Sequence, residues 1–528
     1  MTYTIETINP KQYQGNLVVL YGDDVALRSL PLNKKELDLV NERRRVRSGE
    51  RKVENGKRKT ENFPLSTLHS SLPVSQLLVF DRLPYHLYVL SFDSERPAPQ
   101  CQEHLRRSAM DLIGRLEADG ASDIALTGFG VLPEEMTAFL EGLTLADYSF
   151  DRYRSDEPFH VNSITIDSAL LSDDELQPNL RLWNRIHWCR EWVNLPVQDL
   201  NAPAFADELA SIAADVHGVS CTVMDKKQIE SLRLGGILAV NRGSVDEPRL
   251  VVLEYNGVKS SGGDKKPEAG GPIVLVGKGI MYDTGGLNIK SEDYMQEMKS
   301  DMAGAATMAS VLFAAADNEL PVHIVAILPL TDNRPGFNAY APDDIITMYD
   351  GTTVEIVNTD AEGRLILADA IAYAHANYNP SLIIDAATLT GAAVRAISTF
   401  GIAAMQQNAD NPFTMLSLLG EQVYERLVQF PMWDEYDQLI KSPIADLRNC
   451  GTTPQAGTIT AAKFLAHFAH GTPYIHLDIA GVAYFGKPQH YFRTGASGYG
   501  VRLLYAFLQM QDMLDSPAPT KRPRRKNK

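Results

Sequence analysis

The sequence predicts an α/β protein of two domains: a smaller N-terminal α/β domain, then a larger C-terminal α/β domain with a central mixed sheet flanked by helices. Three observations lead there. The 528 residues are too many for one ordinary domain. Strand-length apolar runs alternate with helical stretches over the C-terminal two thirds, the pattern of a parallel or mixed sheet covered by helices. The hydrophobic fraction of 44% and charged fraction of 22% are those of a globular chain.

Residues 1–175 mix short strands, Leu17–Leu20, Leu87–Leu90 and Ile124–Thr127, with a helix over Gln102–Glu117, and read as the smaller domain. Leu180–Val193 carries Trp and Arg at helical spacing, so 176–195 reads as a linker helix. Residues 196–528 form the larger domain, with a basic tail from about 516 to 528. Its strands are predicted at Ile273–Val276, His323–Leu330, Leu382–Asp385 and Tyr474–Asp478, with a helix over Arg364–Ala376. Pro342, Pro380 and Pro454 fall at element boundaries. Ser260–Gly271 is Gly- and Ser-rich and reads as a flexible surface loop between strands.

The net charge of −16 and pI near 5.3 argue against a general nucleic-acid binder, because phosphate is repelled at long range. Cys101, Cys189, Cys221 and Cys450 are scattered and form no C-x-x-C pair, so they read as reduced thiols of a cytoplasmic protein. The N-terminal residues show no basic segment followed by an apolar core, and no apolar run has the length of a membrane span.

Chemistry concentrates in Asn358-Thr359-Asp360-Ala361-Glu362-Gly363-Arg364-Leu365. If this stretch is extended, Asp360, Glu362 and Arg364 project to one side. Such charges need partners when buried: divalent cations for the acids, an anion for the guanidinium. The alternative is a solvated acidic strand with a surface ion pair. Upstream, Val276-Gly277-Lys278-Gly279-Ile280-Met281-Tyr282-Asp283-Thr284-Gly285-Gly286-Leu287-Asn288-Ile289-Lys290 begins as a buried strand and is broken by glycines. Lys278, Asp283 and Lys290 are therefore expected in a loop beyond a strand's carboxyl end, the usual site position in an open α/β sheet. Asp301 precedes a small-residue helix start, Met302-Ala303-Gly304-Ala305. A phosphate-binding role for Lys278 lacks the spacing of a P-loop.

Together these segments resemble the leucine aminopeptidases, the two-metal M17 family of cytosolic exopeptidases. The resemblance runs from about Asn194 to Leu508 and includes Asp385-Ala386-Ala387-Thr388-Leu389-Thr390-Gly391 and His476-Leu477-Asp478-Ile479-Ala480-Gly481. It implies that 196–528 is the catalytic domain. It implies Lys278, Asp283, Asp301, Asp360 and Glu362 as ligands of two divalent ions, Asp283 and Glu362 bridging. Oxygen donors suit Zn²⁺, Mn²⁺, Mg²⁺ or Co²⁺, and a ligating lysine must be neutral. The resemblance further implies Lys290 as oxyanion stabiliser and Arg364 as the seat of a bicarbonate general base. It implies a side-chain pocket at Met298, Thr388, Leu389, Gly391, Ala480 and Ala483, roomier for the alanine at 483 and suited to Leu or another apolar residue. Short peptides as substrates and a homohexamer of stacked trimers complete the implied picture. Tyr282 and Thr284 replace the Phe and Ser of many relatives with little change of character.

Two basic stretches stand apart, Arg43–Lys59 and the tail at Lys521–Lys526. Both read as solvated segments, with an anionic partner as the other reading. A second function class follows from them: a binding or regulatory protein on a peptidase scaffold that contacts nucleic acid.

Overall fold

The computed structural model describes residues 4–8, 15–22, 25–47, 76–82, 84–258 and 270–515. The chain divides into two compact units, residues 1–183 with 488–493, and residues 184–487 with 494–528. The division falls inside one long helix, Asp173–Asn194, which contains and extends the helix expected over Leu180–Val193.

The first unit holds a six-stranded sheet: β1 (Thr4–Ile8), β2 (Asn16–Gly22), β3 (Gln76–Arg82), β4 (Tyr85–Phe92), β5 (Asp123–Phe129) and β6 (Ser163–Asp167), in the order β1-β6-β5-β2-β4-β3. All neighbours are parallel except β3 and β4. β2 and β4 are buried in near-continuous apolar runs, as strands covered on both faces must be. The helix Ala98–Asp119 starts with a proline in its first turn and ends on Gly120 at φ 65°, a left-handed position that glycine fills without strain. It packs on the helix Pro133–Asp147.

The second unit is built on a nine-stranded mixed sheet. Its strands are β7 (Val219–Met224), β8 (Arg249–Asn256), β9 (Ile273–Gly277), β10 (Gly279–Asp283) and β11 (His323–Asn333), then, after a hairpin of β12 (Ile345–Thr347) and β13 (Thr353–Glu355), β14 (Leu382–Ala387), β15 (Ile402–Gln407) and β16 (Leu427–Gln429), and finally, beyond the short β17 (Leu447–Arg448), β18 (Tyr474–Asp478). The order is β16-β15-β18-β14-β9-β11-β8-β7, with β10 paired to β11. β11, β9, β14 and β18 run parallel at the centre; β8, β7 and β15 join antiparallel. All four strands expected in this unit are present, and the helices Ala303–Asp317 and Gly363–Tyr378 pack against the central strands. The fully buried Val274, Val276, Val325, Ile327, Ile366 and Ile371 belong to its core. No helix among the described residues is long and apolar enough to cross a membrane.

Two local expectations need correction. The Asn358–Leu365 stretch is not extended. Ala361 N–H donates to the Asn358 carbonyl in a turn, and Glu362, at φ −81° and ψ −39°, caps the helix Gly363–Tyr378, which takes in Arg364. A short polar side chain at 358 and glycine at 363 favour turn and helix start over strand. The segment after Val276 is also not simply a loop. Lys278 alone forms a narrow break between β9 and β10, just beyond the end of β9, Asp283 ends a second strand, and Lys290 sits in a loop. Residues 48–59, 259–269 and 516–528, which include most of both basic stretches and of the Ser260–Gly271 loop, lie outside the described residues.

Candidate metal centre and substrate cavity

Three parallel neighbours set the site at their carboxyl ends: β9 delivers Lys278, β11 delivers Asn333, and β14 delivers Thr388. Asp283 comes from the end of β10, Asp301 from a single 3₁₀ turn, Met298–Met302, and Glu362 from the start of the helix Gly363–Tyr378. Tight backbone packing lets them meet. A Cβ on Gly363 would fall 2.3 Å from Lys278 Cε, so only glycine leaves the lysine a path to Glu362. Gly285, at φ 85°, turns the chain after Asp283.

One ligand atom each of Asp283, Asp301 and Glu362 lie within 4.8 Å of one another, and all three residues are buried. Lys278 Nζ donates to Asp301 Oδ1 at 2.8 Å and to the Thr388 carbonyl at 2.9 Å, and stands 3.0 Å from Glu362 Oε1. Lys290 Nζ lies 2.8 Å from Asp283 Oδ2 and 2.5 Å from Asp360 Oδ1. Four carboxylates thus enclose two cations. Burial works against the charge on each lysine, but Asp301, Glu362 and Asp283 around Lys278, and Asp283, Glu362 and Asp360 around Lys290, hold both ammonium groups above their ordinary range. Burial pushes Asp301 up to about 8; Lys278 pulls against it, while Glu362 and Asp283 add to it. Asp360 is raised too, first by burial and then by Glu362.

The donor set fits divalent ions. Asp301 Oδ2 and Glu362 Oε2 are buried with no hydrogen-bond partner, a costly state for carboxylate oxygens that a cation relieves. The lysine ammoniums occupy the negative potential that a dication would compete for, and Lys278 would have to surrender a proton to become a ligand.

All thirteen site residues expected from the sequence line one cavity of about 1110 Å³. It reaches from Lys278, Asp283 and Lys290 to Met298, Ala480 and Ala483. Arg364 is buried and donates from Nη1 to the Asn449 carbonyl at 2.8 Å, while its Nε has no partner. Burial lowers its pKa.

Sequence reasoning missed the supports. Asn333 Nδ2 donates to Asp283 Oδ1 at 2.9 Å and to the Thr359 carbonyl at 3.0 Å, fixing one acid against the Asp360 turn. Asn449 Nδ2 donates to the Asn358 carbonyl at 2.7 Å, and its Oδ1 accepts from Val357 N–H. Asp478 accepts from Thr390 Oγ1 at 2.6 Å and from the Leu389 and Ala480 amides, tying the pocket walls together. The one available signal for Asn333 was a polar Thr-Asp-Asn run ending an otherwise apolar strand.

A carboxylate cage at the strand ends of an α/β sheet, beside a large cavity, has the architecture of a metal-binding enzyme site. Comparisons give the family. The catalytic-domain model of the cytosol aminopeptidase family, Peptidase_M17, matches residues 187–505. A probable cytosol aminopeptidase of Syntrophotalea carbinolica is 42% identical over 392 residues, 72% of this chain and 76% of the relative. One of Geobacter sulfurreducens is 38% identical over 421 residues, 77% and 82%. Among solved structures, the bottromycin maturation enzyme BotP in complex with Mn superposes with a TM-score of 0.76 at 28% identity, covering 94% of this chain and all of that one. The chain belongs to the cytosol aminopeptidase family. It is accordingly a metallo-aminopeptidase, a peptide hydrolase dependent on divalent metal.

Proposed function

We propose that this protein removes the N-terminal residue, preferentially Leu or another apolar residue, from short peptides, using two divalent ions held by Lys278, Asp283, Asp301, Asp360 and Glu362. The observation that carries the reading is the convergence of Asp283, Asp301 and Glu362 within 4.8 Å, with partnerless buried oxygens on two of them. When bound, two such ions supply an activated water and a Lewis acid for the scissile carbonyl. In this scheme Asp283 and Glu362 would be shared by both ions, and Zn²⁺ or Mn²⁺, with Mg²⁺ or Co²⁺ as alternatives, would be the ions held.

The chain's own groups do the rest. Lys290, with its ammonium fixed between Asp283 and Asp360, is aimed to stabilise the oxyanion that develops on the substrate carbonyl. Arg364 keeps one N–H free of any partner, which suits an anion, and bicarbonate acting as a proton acceptor fits that seat. Met298, Thr388, Leu389, Gly391, Ala480 and Ala483 would surround the first side chain. A mostly apolar wall favours Leu or Met, but one methylene discriminates by only about 1–3 kcal/mol.

Assembly as a homohexamer with enclosed sites, in the cytoplasm, belongs to the same reading; a monodisperse monomer in light scattering that cleaves leucyl amides at full rate would exclude the requirement. Nothing among the described residues favours the nucleic-acid alternative. The test of the function is hydrolysis of a leucyl chromogenic amide by chelator-treated protein with and without added Mn²⁺ or Zn²⁺. Restored turnover is expected; no turnover with either metal would refute it.

A further inference from the structure

The cavity contains one cation that the proposed chemistry does not use. Arg395 lies on the short helix Gly391–Ile397, exposed, and lines the same cavity as the carboxylate cage. Its side chain folds back one turn, as helical side chains do, so that Nη1 stands 3.3 Å from where a Cβ on Gly391 would be. Gly391 belongs to the wall proposed for the first side chain of the substrate. No hydrogen bond or ion pair joins Arg395 to another side chain among the described residues, whereas Lys278, Lys290 and Arg364 each have fixed partners.

The distance to the cage is bounded by the chain. Thr388 touches it directly, its hydroxyl donating to Asp301 at 2.7 Å and its carbonyl accepting from Lys278. Gly391 lies three positions after Thr388, a span of at most about 10 Å. The guanidinium head therefore lines the cavity close to Gly391, on the segment that begins at the cage with Thr388. Ala480 and Ala483, both lining the cavity, put only small side chains into it at those points.

We infer that Arg395 reads a carboxylate on the substrate, so that this enzyme accepts peptides beginning with Glu or Asp in addition to apolar residues. The inference rests on the aminopeptidase reading and narrows its substrate class. A guanidinium matches a carboxylate with two parallel hydrogen bonds, while the isosteric amide of Gln forfeits the charge. Arg395 is the cavity-lining cation that has no partner of its own among the described residues, and so is free to take such a carboxylate. The carboxylate could also be the free C-terminus of a dipeptide, which has the same chemistry.

The test uses the metal-loaded full chain with Glu-, Gln- and Leu-4-nitroanilides, which have no C-terminal carboxylate, and with Leu-Gly against Leu-Gly-amide. The readout is the ratio of kcat/KM for Glu over Gln. Wild type is expected to favour Glu, and Arg395→Ala to lower the ratio about 10-fold or more, the scale of one charge-assisted hydrogen bond; Arg395→Lys should keep part of it, and Arg395→Glu should invert it. A Glu/Gln ratio that the three variants leave unchanged, with Leu-4-nitroanilide cleaved, overturns the inference alone. An effect confined to Leu-Gly over its amide overturns the side-chain assignment and moves Arg395 to the C-terminal carboxylate. No cleavage of any substrate overturns the aminopeptidase reading and the inference with it.

Discussion

Two buried ionic clusters in the second unit make an instructive pair. Glu425 and Arg502 are both almost completely buried, with Arg502 Nε 3.0 Å from Glu425 Oε1 and the Gly500 and Leu503 amides donating to Oε2. Both carboxylate oxygens are matched. In the cage, Lys278, Asp283, Asp301 and Glu362 are nearly as buried and Asp360 is partly exposed, but acids outnumber cations, two oxygens lack partners, and the whole opens on a cavity. Burial alone therefore does not mark function. A closed pair holds the fold together, whereas an unbalanced cluster facing a cavity keeps charge in reserve for a ligand.

Substitutions should separate the two in kind. Glu362→Ala or Asp283→Ala should lower kcat by about 10³-fold or more, because a lost ion removes several kcal/mol of transition-state stabilisation, yet leave the metal-free fold as stable as before or more so. Urea titration of the metal-free variants checks the second half, and a loss of several kcal/mol there would make these acids structural. Glu425→Ala should do the opposite: a stability loss of about 3–5 kcal/mol from the stranded Arg502, read by the same titration.

Within the cage, Lys290→Ala should reduce kcat about 10²–10³-fold, with a smaller change in KM; unchanged kcat would assign Lys290 to structure. Arg364→Ala should fall in the same range, and its rate should lose any response to added bicarbonate. Asn333→Ala touches no substrate and should cost about 10–100-fold in metal affinity, the usual scale for a group that orients a ligand, measurable by competition with a chelator.

The smallest effect is in pH. Burial pushes the Asp301 carboxyl up to about 8, from the ordinary aspartate value of about 4. A carboxyl raised in this way binds its proton more tightly in the folded state, so stability falls as pH rises between these values. The Tm of metal-free protein should therefore drop from pH 5 to pH 8, and Asp301→Asn should flatten the curve. Added metal should oppose the drop at the alkaline end, where the acids are ionised. A metal-free Tm that climbs across this window would contradict the charge arrangement described for the cage.

Much of this was legible in the sequence because it is local. Buried parallel strands read as unbroken apolar runs, which located β9, β11, β14 and β18, and the crowding of acids and lysines around 278–301 and 358–364 marked the site. What failed was conformation over short spans: alternation was assigned to Asp360, Glu362 and Arg364, where a turn and a helix start decide their directions. What stayed invisible was non-local. Asn333 meets Asp283 across 50 residues and Asn449 meets Asn358 across 91, and only the register of β10 on β11 and of β17 on β13 brings them together. Arg395 carries no sequence signal either, since its role depends on which wall of the cavity its helix forms.

Metal content measured beside activity tests the central claim most directly. Elemental analysis of gel-filtered wild type and Glu362→Ala, paired with leucyl-amide turnover, should give two ions per wild-type chain and a matched fall of both metal and rate in the variant. Two tightly held ions in an active Glu362→Ala protein would contradict the account of the cage as the metal centre.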